Sequence, residues 1–390
     1  MGKKSSFLTK LFAQGADEPD PAEEGFILNS ITFNLAKLIF APSLPAGFSY
    51  CNLDPRNDED FREISGLLRG HFIKSKRTDA SFTLYYPDPV LRMVLYRTPP
   101  EFNVGIRFES ELIAYANIMQ QQISIKGRNS NAFLIDFLVV HGDFRGRRLT
   151  PCLAAKGLQN MIKSSSFNKE SVVLVTCAYD LPLKRVALHK IYHRPIRPIK
   201  LMGVGMMPIQ IDIDKCRQKF SLKTGKNRLN MERLQAKDSD SARLRLYHFL
   251  EDGDIAPIFK KTDFEHFFLR DDGATVSFVL KENEVVKDFV SFYRADTEIK
   301  DEDGEIERVM VFWLMYVASD RPKEVVESCL ESLKDLGGDM LNISKGSIGK
   351  EHFPDFESSN LYLEGTGTLR YYMFNWRSIG EYPNVKITLI

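Results

Sequence analysis

The sequence has few cysteines, no excess of charge of either sign and no long apolar run, and each shortage excludes a class of protein. Five cysteines are spread over 390 residues without C-x-x-C spacing, so neither a disulfide framework nor a zinc site is expected. Lysine and arginine total 53 against 52 for aspartate and glutamate, and this balance gives no electrostatic basis for nucleic-acid binding. The longest apolar run, at 309–318, is too short to span a bilayer.

The remaining bulk properties indicate an ordinary protein of two domains. A length of 390 residues allows two domains with large cores. No secretory signal opens the chain, so we expect a cytoplasmic protein with reduced thiols. The seven histidines are scattered, and no metal site is predicted. Residues 1–24 are polar and rich in proline, aspartate and glutamate, which predicts a disordered tail.

One stretch, residues 131–158, combines three local signals. An apolar, β-branched run at 133–140 has the length of a strand, and a turn with two glycines and three arginines follows at 141–148. Helical spacing begins at Leu149, with Pro151 tolerated in the first turn. Because a helix N-terminus and nearby arginines attract anions, the stretch predicts a phosphate or pyrophosphate site. Taken alone, the sequence of the turn is explained equally well by a basic turn that faces solvent and binds nothing.

Two motifs in this order resemble one enzyme family. FLVVHGDFRGRRLTP, at 137–151, is similar to the acyl-CoA-binding segment of protein N-myristoyltransferases (glycylpeptide N-tetradecanoyltransferases). GTGTLRYYMFNW, at 365–376, resembles the family's glycine-rich turn and the strand after it. YHRPIRPIKL, SFY and the final VKITLI also fall in the family's order, so the resemblance runs from about residue 44 to residue 390.

The resemblance implies a fold and a division into domains. We expect the α/β (α+β) class, with tandem acetyltransferase-like (GNAT) lobes forming one continuous saddle-shaped sheet flanked by helices. The acyl-CoA-binding lobe would span 25–205 and the peptide-binding lobe 206–390. Myristoyl-CoA would be the co-substrate, with no permanently bound cofactor, and proteins with an N-terminal glycine would be the partners.

Periodicity and turn signals predict the following elements. Helices are expected at 58–72, 89–96, 151–163, 240–250 and 323–336. Strands are expected at 102–108, 112–119, 133–140, 171–177, 274–280, 285–293, 309–317, 369–375 and 385–390. The strand, turn and helix at 309–336 echo those at 133–163, but Asp320 and Glu324 stand where the first turn has arginines.

By the resemblance, one segment holds the acyl donor and stabilises the oxyanion of its thioester. The donor-binding residues would be Phe137, Leu138, Val139, Val140, Arg145, Gly146, Arg147, Arg148, Leu149 and Thr150. Backbone N–H groups of Phe137 and Leu138, at a bulge in the strand, would donate to the oxyanion. The competing interpretation is that both are ordinary core residues of a strand. His141, directly after the strand, is expected to be a turn or cap residue and not a base.

The resemblance also implies that the chain's last carboxylate is the general base. An α-amine has an unperturbed pKa of about 7.7–8.0, so a modest base within hydrogen-bond reach suffices. The chain ends in an apolar segment that closes fifteen residues after Asn375, close to the family's spacing. We therefore assign the base to the α-carboxylate of Ile390, the alternative being a docked final strand without chemistry.

Further positions match the family's peptide groove and acyl pocket. The substrate-binding residues implied in this way are Phe82, Leu84, Thr176, His193, Arg197, Thr224, Tyr293, Gly365, Thr366 and Gly367. His193 is expected to be mainly structural, and Thr176 would lie in the pocket floor between Val175 and Cys177.

Four departures from the family pattern add positive charge or remove negative charge. An acidic loop of the family becomes the mostly basic stretch 74–79, and its G-D-G turn becomes Gly365-Thr366-Gly367. Arginines 197 and 243 stand where the family has an asparagine and a histidine. Opposite charges near a surface are worth on the order of one to a few kcal/mol, so we predict a preference for acidic or neutral residues downstream of the glycine.

The first residues, MGKKSS, fit a myristoylation pattern at Gly2, which suggests that the enzyme could modify itself. This hypothesis conflicts with the predicted peptide preference, because the segment is basic, and we rank it lower. The leading interpretation is a monomeric enzyme that transfers a myristoyl group from CoA to N-terminal glycine, with transient membrane association left open. The alternatives are a degenerate relative that binds acyl-CoA or glycyl peptides with weak catalysis, and a short-chain N-acetyltransferase.

Overall fold

The computed structural model describes residues 23–28, 41–76, 80–181, 183–207, 212–222 and 228–388. The chain forms two compact units, and each unit takes three segments of the sequence. Unit 1 consists of 1–73, 94–188 and 368–383, and unit 2 of 74–93, 189–367 and 384–390. The division into lobes at residue 205 stays a prediction. In the structure residues 74–93 also belong to unit 2, and residues 368–383 also belong to unit 1.

The described residues contain nineteen strands and ten α-helices. The strands are β1 (Gly25–Phe26), β2 (Phe48–Asn52), β3 (Lys74–Lys76), β4 (Ala80–Tyr85), β5 (Asn103–Phe108), β6 (Glu111–Ile125), β7 (Arg128–Val140), β8 (Val172–Cys177), β9 (Ala187–Pro195), β10 (Glu232–Arg233), β11 (Ile255–Pro257), β12 (Thr275–Glu282), β13 (Val285–Arg294), β14 (Asp296–Asp301), β15 (Ile306–Val309), β16 (Val311–Ala318), β17 (Met340–Ser344), β18 (Leu363–Phe374) and β19 (Trp376–Arg377). The helices are α1 (Asp58–His71), α2 (Asp88–Leu95), α3 (Leu149–Lys163), α4 (Pro198–Gly203), α5 (Ile213–Lys219), α6 (Ser239–Leu250), α7 (Lys261–Phe268), α8 (Pro322–Asp335), α9 (Lys345–Ile348) and α10 (Phe353–Glu357).

Unit 1 is built on a sheet whose strands lie in the order β18-β8-β7-β6-β5-β2. β7 and β8 are parallel, and α3 is the crossover between them. The other helix, α1, begins at Asn57, whose side chain accepts from the backbone N–H groups of Glu59 and Asp60. The two helices cover the sheet with their apolar sides, and the core against α3 includes Ile118, Phe133, Leu149 and Leu153.

Unit 2 is built on a sheet in the order β10-β12-β13-β16-β17-β9, with a smaller sheet β15-β14-β4-β3. β16 and β17 are parallel, and α8 is the crossover between them. The two segments that the sequence paired as echoes, 133–163 and 309–336, are therefore both the first strand and helix of a β-α-β crossover. Buried Val325, Val326 and Leu330 of α8 pack into the core of this unit.

Most predicted elements are confirmed with ends within a few residues, and the mixed α/β class is confirmed. The predicted strand at 309–317 is two strands, because Met310 donates its N–H to Asp339 Oδ2 (2.9 Å) and separates β15 from β16. The predicted strand at 385–390 is wrong for its described part, where Val385 makes a single parallel bridge to Ile255. No helix among the described residues is long and apolar enough to cross a membrane.

Candidate functional site

A bulge interrupts β7 at the two residues predicted to be oxyanion donors. Tyr115 pairs with Val139 and Asn117 pairs with Asp136, so Phe137 and Leu138 together face the single residue Ala116. Phe137 has a φ of +50°, which non-glycine residues rarely adopt. A bulge re-aims the backbone away from the regular ladder, as a main-chain oxyanion site requires. The donor role of the two N–H groups stays a prediction.

The parallel strands β7 and β8 stop pairing just before this bulge. Their pairing runs from Ala132–Val172 to Ile135–Val175 and goes no further, although β7 continues to Val140 and β8 to Cys177. The bulge therefore lies where unit 1 has a gap between two parallel strands. Such a gap leaves space for a ligand beside the backbone of β7.

The basic turn continues directly from β7 and closes onto α3. Gly146 and Arg148 both lie in the left-handed region, with φ of +80° and +61°, and Arg148 is the N-cap position of α3. A non-glycine residue in this region costs about 1–2 kcal/mol, and such strain is typical of functional sites. The turn thus presents the start of a fifteen-residue helix at the end of β7.

The three arginines of the turn differ in what they already contact. Arg145 donates from Nε to the Val140 carbonyl (3.2 Å) and from Nη2 to the His71 carbonyl (2.5 Å), so it connects the end of β7 to the end of α1. Arg147 lies over the Phe144 ring at 5.3 Å. Across the described residues, no carboxylate is within salt-bridge distance of Arg145, Arg147 or Arg148. The turn keeps its positive charge and can bind an anion.

Two histidines support this turn through their ring nitrogens. His141 Nδ1 accepts from the Asp143 N–H (3.3 Å), which confirms the prediction that His141 caps the turn. His71 Nδ1 accepts from the Gly142 N–H (3.1 Å), and the two imidazole rings are in contact with centroids 3.8 Å apart and their planes tilted by 42°. The second histidine was not predicted, because it lies seventy residues away on α1.

His193, one of the predicted peptide-site residues of unit 2, is held in a defined state. Its Nδ1 lies 2.6 Å from Asn342 Oδ1, which can only accept, so Nδ1 carries the proton. Burial lowers the pKa of His193, and the ring is neutral at pH 7. A Cβ added at Gly365 would lie 2.3 Å from the other ring nitrogen, so glycine is needed there. Asn342 was missed, and its only signal was a polar residue inside an apolar strand.

The other predicted peptide-site residues lie in several elements. Phe82 and Leu84 are on β4, opposite Ile299 and Thr297 of β14, and Tyr293 stacks on Trp313. The structure describes Thr366 and Gly367 on β18 with Gly365, and Thr176 on β8 of unit 1. Thr224 and Ile390, together with residues 77–79 of the basic stretch, lie outside the described residues.

Several positions that the sequence assigned to the peptide groove have acidic side chains nearby. Arg197 donates to the Lys334 carbonyl (2.9 Å) and lies 3.8 Å from Asp339. Arg243 lies 3.9 Å from Asp240. Phe82 lines a cavity of about 340 Å³ in unit 2, and three carboxylates also line it: those of Asp301, Glu305 and Glu307. These acidic side chains were not considered in the sequence-based preference.

The segment 384–388 is anchored in unit 2 by buried polar contacts. Lys386, 3% exposed, donates from Nζ to Asp252 and to the Phe249 carbonyl, and its N–H donates to the Ile255 carbonyl (2.7 Å). Tyr316 donates its hydroxyl to the Lys386 carbonyl (3.2 Å). The chain is thus fixed up to its last few residues, although not by strand pairing.

Both halves of the chain match models of one protein family. Residues 39–168 match the family model described as the N-terminal domain of myristoyl-CoA:protein N-myristoyltransferase. Residues 203–386 match the model of the C-terminal domain of the same enzyme.

Named relatives match most of this chain at low sequence identity. The chain is 25% identical over 352 residues to the probable glycylpeptide N-tetradecanoyltransferase of Caenorhabditis elegans, covering 88% of this chain and 76% of the relative. It is 26% identical over 357 residues to that of Emericella nidulans, covering 86% and 71%. The crystal structure of Saccharomyces cerevisiae N-myristoyltransferase with bound myristoyl-CoA matches with a TM-score of 0.84 at 20% identity, covering both chains completely. At that identity the structural match shows the fold.

Proposed function

Because this chain belongs to the N-myristoyltransferase family, we propose that it transfers a myristoyl group from CoA to the N-terminal glycine amine of proteins. One observation supports the proposal most directly. The strand gap and bulge at Phe137 and Leu138 lie directly before an uncompensated arginine turn, within one segment of unit 1. Myristoyl-CoA is the co-substrate, and the chemistry needs no permanently bound cofactor.

Each part of this segment has a chemical task in the proposal. Arg147, Arg148 and the N–H groups of the first turn of α3 bind the phosphates of CoA. The backbone N–H groups of Phe137 and Leu138 donate to the thioester oxygen as negative charge develops on it. Losing one such donor typically costs ~10²–10³ in rate, because preorganised dipoles stabilise the transition state without reorganising.

The proposal assigns the general base to the α-carboxylate of Ile390. The anchored segment 384–388 supports this assignment, because a base must be held within hydrogen-bond reach of the amine. A chain end that frays could not serve in this way.

Mass spectrometry of a glycyl peptide incubated with acetyl-, myristoyl- or palmitoyl-CoA tests the function. The same peptide with a blocked amine is the matched control. We expect a mass increase for one myristoyl group and none with the blocked peptide. Transfer from acetyl-CoA alone would favour a short-chain N-acetyltransferase. Binding of myristoyl-CoA without turnover would favour a degenerate binding protein.

The downstream charge preference is a finer part of the proposal. Lys74 and Arg197 favour acidic or neutral residues after the glycine, whereas the cavity carboxylates of Glu305 and Glu307 favour basic ones. We propose the acidic or neutral preference, and transfer to matched Glu- and Lys-containing peptides tests it. A double variant, Glu305→Gln with Glu307→Gln, measures the opposing contribution, because it should raise transfer to the Glu peptide.

The proposal also includes the oligomeric state and the cellular location of the enzyme. We propose a cytoplasmic monomer, supported by five cysteines that are all free thiols, which meets membranes only transiently through its lipidated products. Light scattering of the purified protein and its distribution between vesicles and solution test these points. A stable dimer, or binding to vesicles without acyl-CoA, would contradict them.

A further inference from the structure

Lys386 is buried although it lies only four residues before the last residue of the chain. It is 3% exposed, and its ammonium group pairs with Asp252. The same nitrogen donates to the Phe249 carbonyl and lies 4.0 Å from the centroid of the Phe249 ring. Lysine is almost never buried this fully unless its charge is paired. The side chain therefore anchors this part of the chain through its Nζ contacts.

Two glycines leave the space that the aliphatic stem of Lys386 fills. A Cβ added at Gly253 would lie 3.4 Å from Cδ of the lysine, and one added at Gly349 would lie 3.5 Å from its Cε. Gly349 also has a φ of +87°, which favours glycine. Because the stem is packed and the tip is bonded, the side chain fixes the place of the Lys386 backbone.

The backbone of Lys386 is bonded on both sides as well. Its N–H donates to the Ile255 carbonyl (2.7 Å), and its carbonyl accepts from the buried Tyr316 hydroxyl (3.2 Å). The flanking residues Val385 and Ile387 are each 2% exposed. All of these groups belong to unit 2. One residue thus ties the terminal segment to the end of α6, to β11 and to β16.

The chain is short between this anchor and its end. Ile390 follows Lys386 by four residues, and four residues of extended chain span at most roughly 14 Å. A general base must lie within about 2.6–3.2 Å of the proton that it removes. A misplacement of about 1 Å can cost about 10²-fold in rate. An anchor at Lys386 therefore decides how well a base at the chain end is held.

Several charged groups act on the ammonium group of Lys386. Burial lowers the pKa of Lys386, whereas the carboxylates of Asp252 and Glu351 raise it and Lys350 lowers it. The Tyr316 hydroxyl, which contacts the backbone of the same residue, has a pKa raised by burial to about 12 and stays neutral. Lys386 therefore loses its proton at a lower pH than an exposed lysine, and the ion pair with Asp252 is lost as pH rises.

We propose that Lys386 is a positioning residue for acyl transfer: its buried ammonium group, held by Asp252 and the Phe249 carbonyl, fixes the start of the terminal segment and so places the terminal carboxylate. This inference rests on the proposed function, in which that carboxylate is the general base. Lys386 touches no reacting atom. Without its anchor the last residues sample many positions, and the amine meets its base for only part of the time.

Steady-state kinetics of Lys386→Met, with Lys350→Met as the matched control, test the proposal. Methionine fills the space of the stem but cannot pair with Asp252, so kcat with a glycyl peptide should fall about 10–10²-fold. The peptide KM and the dissociation constant for a non-hydrolysable myristoyl-CoA analogue should not change, because the base acts after both substrates have bound. Lys350 is an exposed lysine of the same region, and its variant should keep kcat at pH 7.

The pH profile of kcat provides a second readout through Asp252→Asn. The wild-type kcat should fall on the alkaline side as Lys386 loses its proton. Asp252→Asn should shift that fall to lower pH, because it removes the charge that raises the pKa of Lys386. The Asp252 side chain is 53% exposed, so this variant is expected to fold even if Lys386→Met does not.

Three results would overturn the proposal. The first is an unchanged kcat in Lys386→Met. The second is a parallel loss of kcat, peptide KM and acyl-CoA affinity, which a purely structural role would produce. The third is an alkaline fall that does not move in Asp252→Asn. Absence of any transfer by the wild-type enzyme would instead overturn the proposed function, so the two failures are distinguishable.

Discussion

Asp136→Asn should stabilise the protein at alkaline pH, because the carboxyl group it replaces is buried. The folded-state pKa of Asp136 is about 7 against an ordinary 3.8, because burial disfavours the carboxylate. The folded state therefore binds more protons than the unfolded chain between these values, and stability falls as pH rises through that window. Converted at 1.36 kcal/mol for each pKa unit, the cost above pH 7 is at most roughly 4 kcal/mol.

The assay is urea unfolding at several pH values, read in unit 1. The chain has two tryptophans, Trp313 in unit 2 and Trp376 in unit 1, so a Trp313→Phe background leaves one reporter for unit 1. We expect Asp136→Asn to raise the free energy of unfolding by about 1–4 kcal/mol at pH 8.5 and by almost nothing at pH 4. The measured quantity is the difference in free energy of unfolding between the variant and its parent. The reasoning would be refuted if this difference did not change with pH, or if it favoured the variant less at pH 8.5 than at pH 4.

Three further predictions follow from other parts of the chain. Adding residues after Ile390 should abolish transfer while leaving acyl-CoA binding intact, and full activity of such a variant would remove the terminal base. Gly365→Ala should lower the affinity for glycyl peptides or destabilise unit 2, because its Cβ would lie 2.3 Å from His193 Nε2, whereas Gly380→Ala has open space and should have no effect on peptide KM. Glu327→Gln should lower the free energy of unfolding in urea by about 3–5 kcal/mol, because Glu327 pairs at 2.9 Å with the fully buried Arg194. A decrease below about 1 kcal/mol would contradict this prediction.

Local signals in the sequence were enough for the strand, the basic turn and the helix at 128–163. The apolar run, the glycines and Pro151 each act within a few residues, and the structure differs only in the ends of these elements. The bulge at Phe137 came from the family resemblance, since nothing in the side chains marks it.

The parts that were missed depend on long-range register. Asn103, Asn117 and Asp136 lie opposite one another on β5, β6 and β7 only because the three strands pair in one alignment. The small sheet likewise joins β4 to β14, more than two hundred residues apart. β14, with the sequence DTEIKD, has too few apolar residues to be predicted from periodicity. An isolated aspartate in an apolar strand was the only available signal for Asp136.

The two bonds of Arg145 have a consequence for interpreting mutants of the turn. Its guanidinium closes the end of α1 onto the end of β7, so truncation would loosen the backbone as well as remove charge. A loss of CoA affinity in Arg145→Ala would therefore mix mechanical and electrostatic effects. Arg147 contacts the Phe144 ring and no carboxylate of the described residues, so the salt dependence of an Arg147→Gln variant reports the phosphate contact.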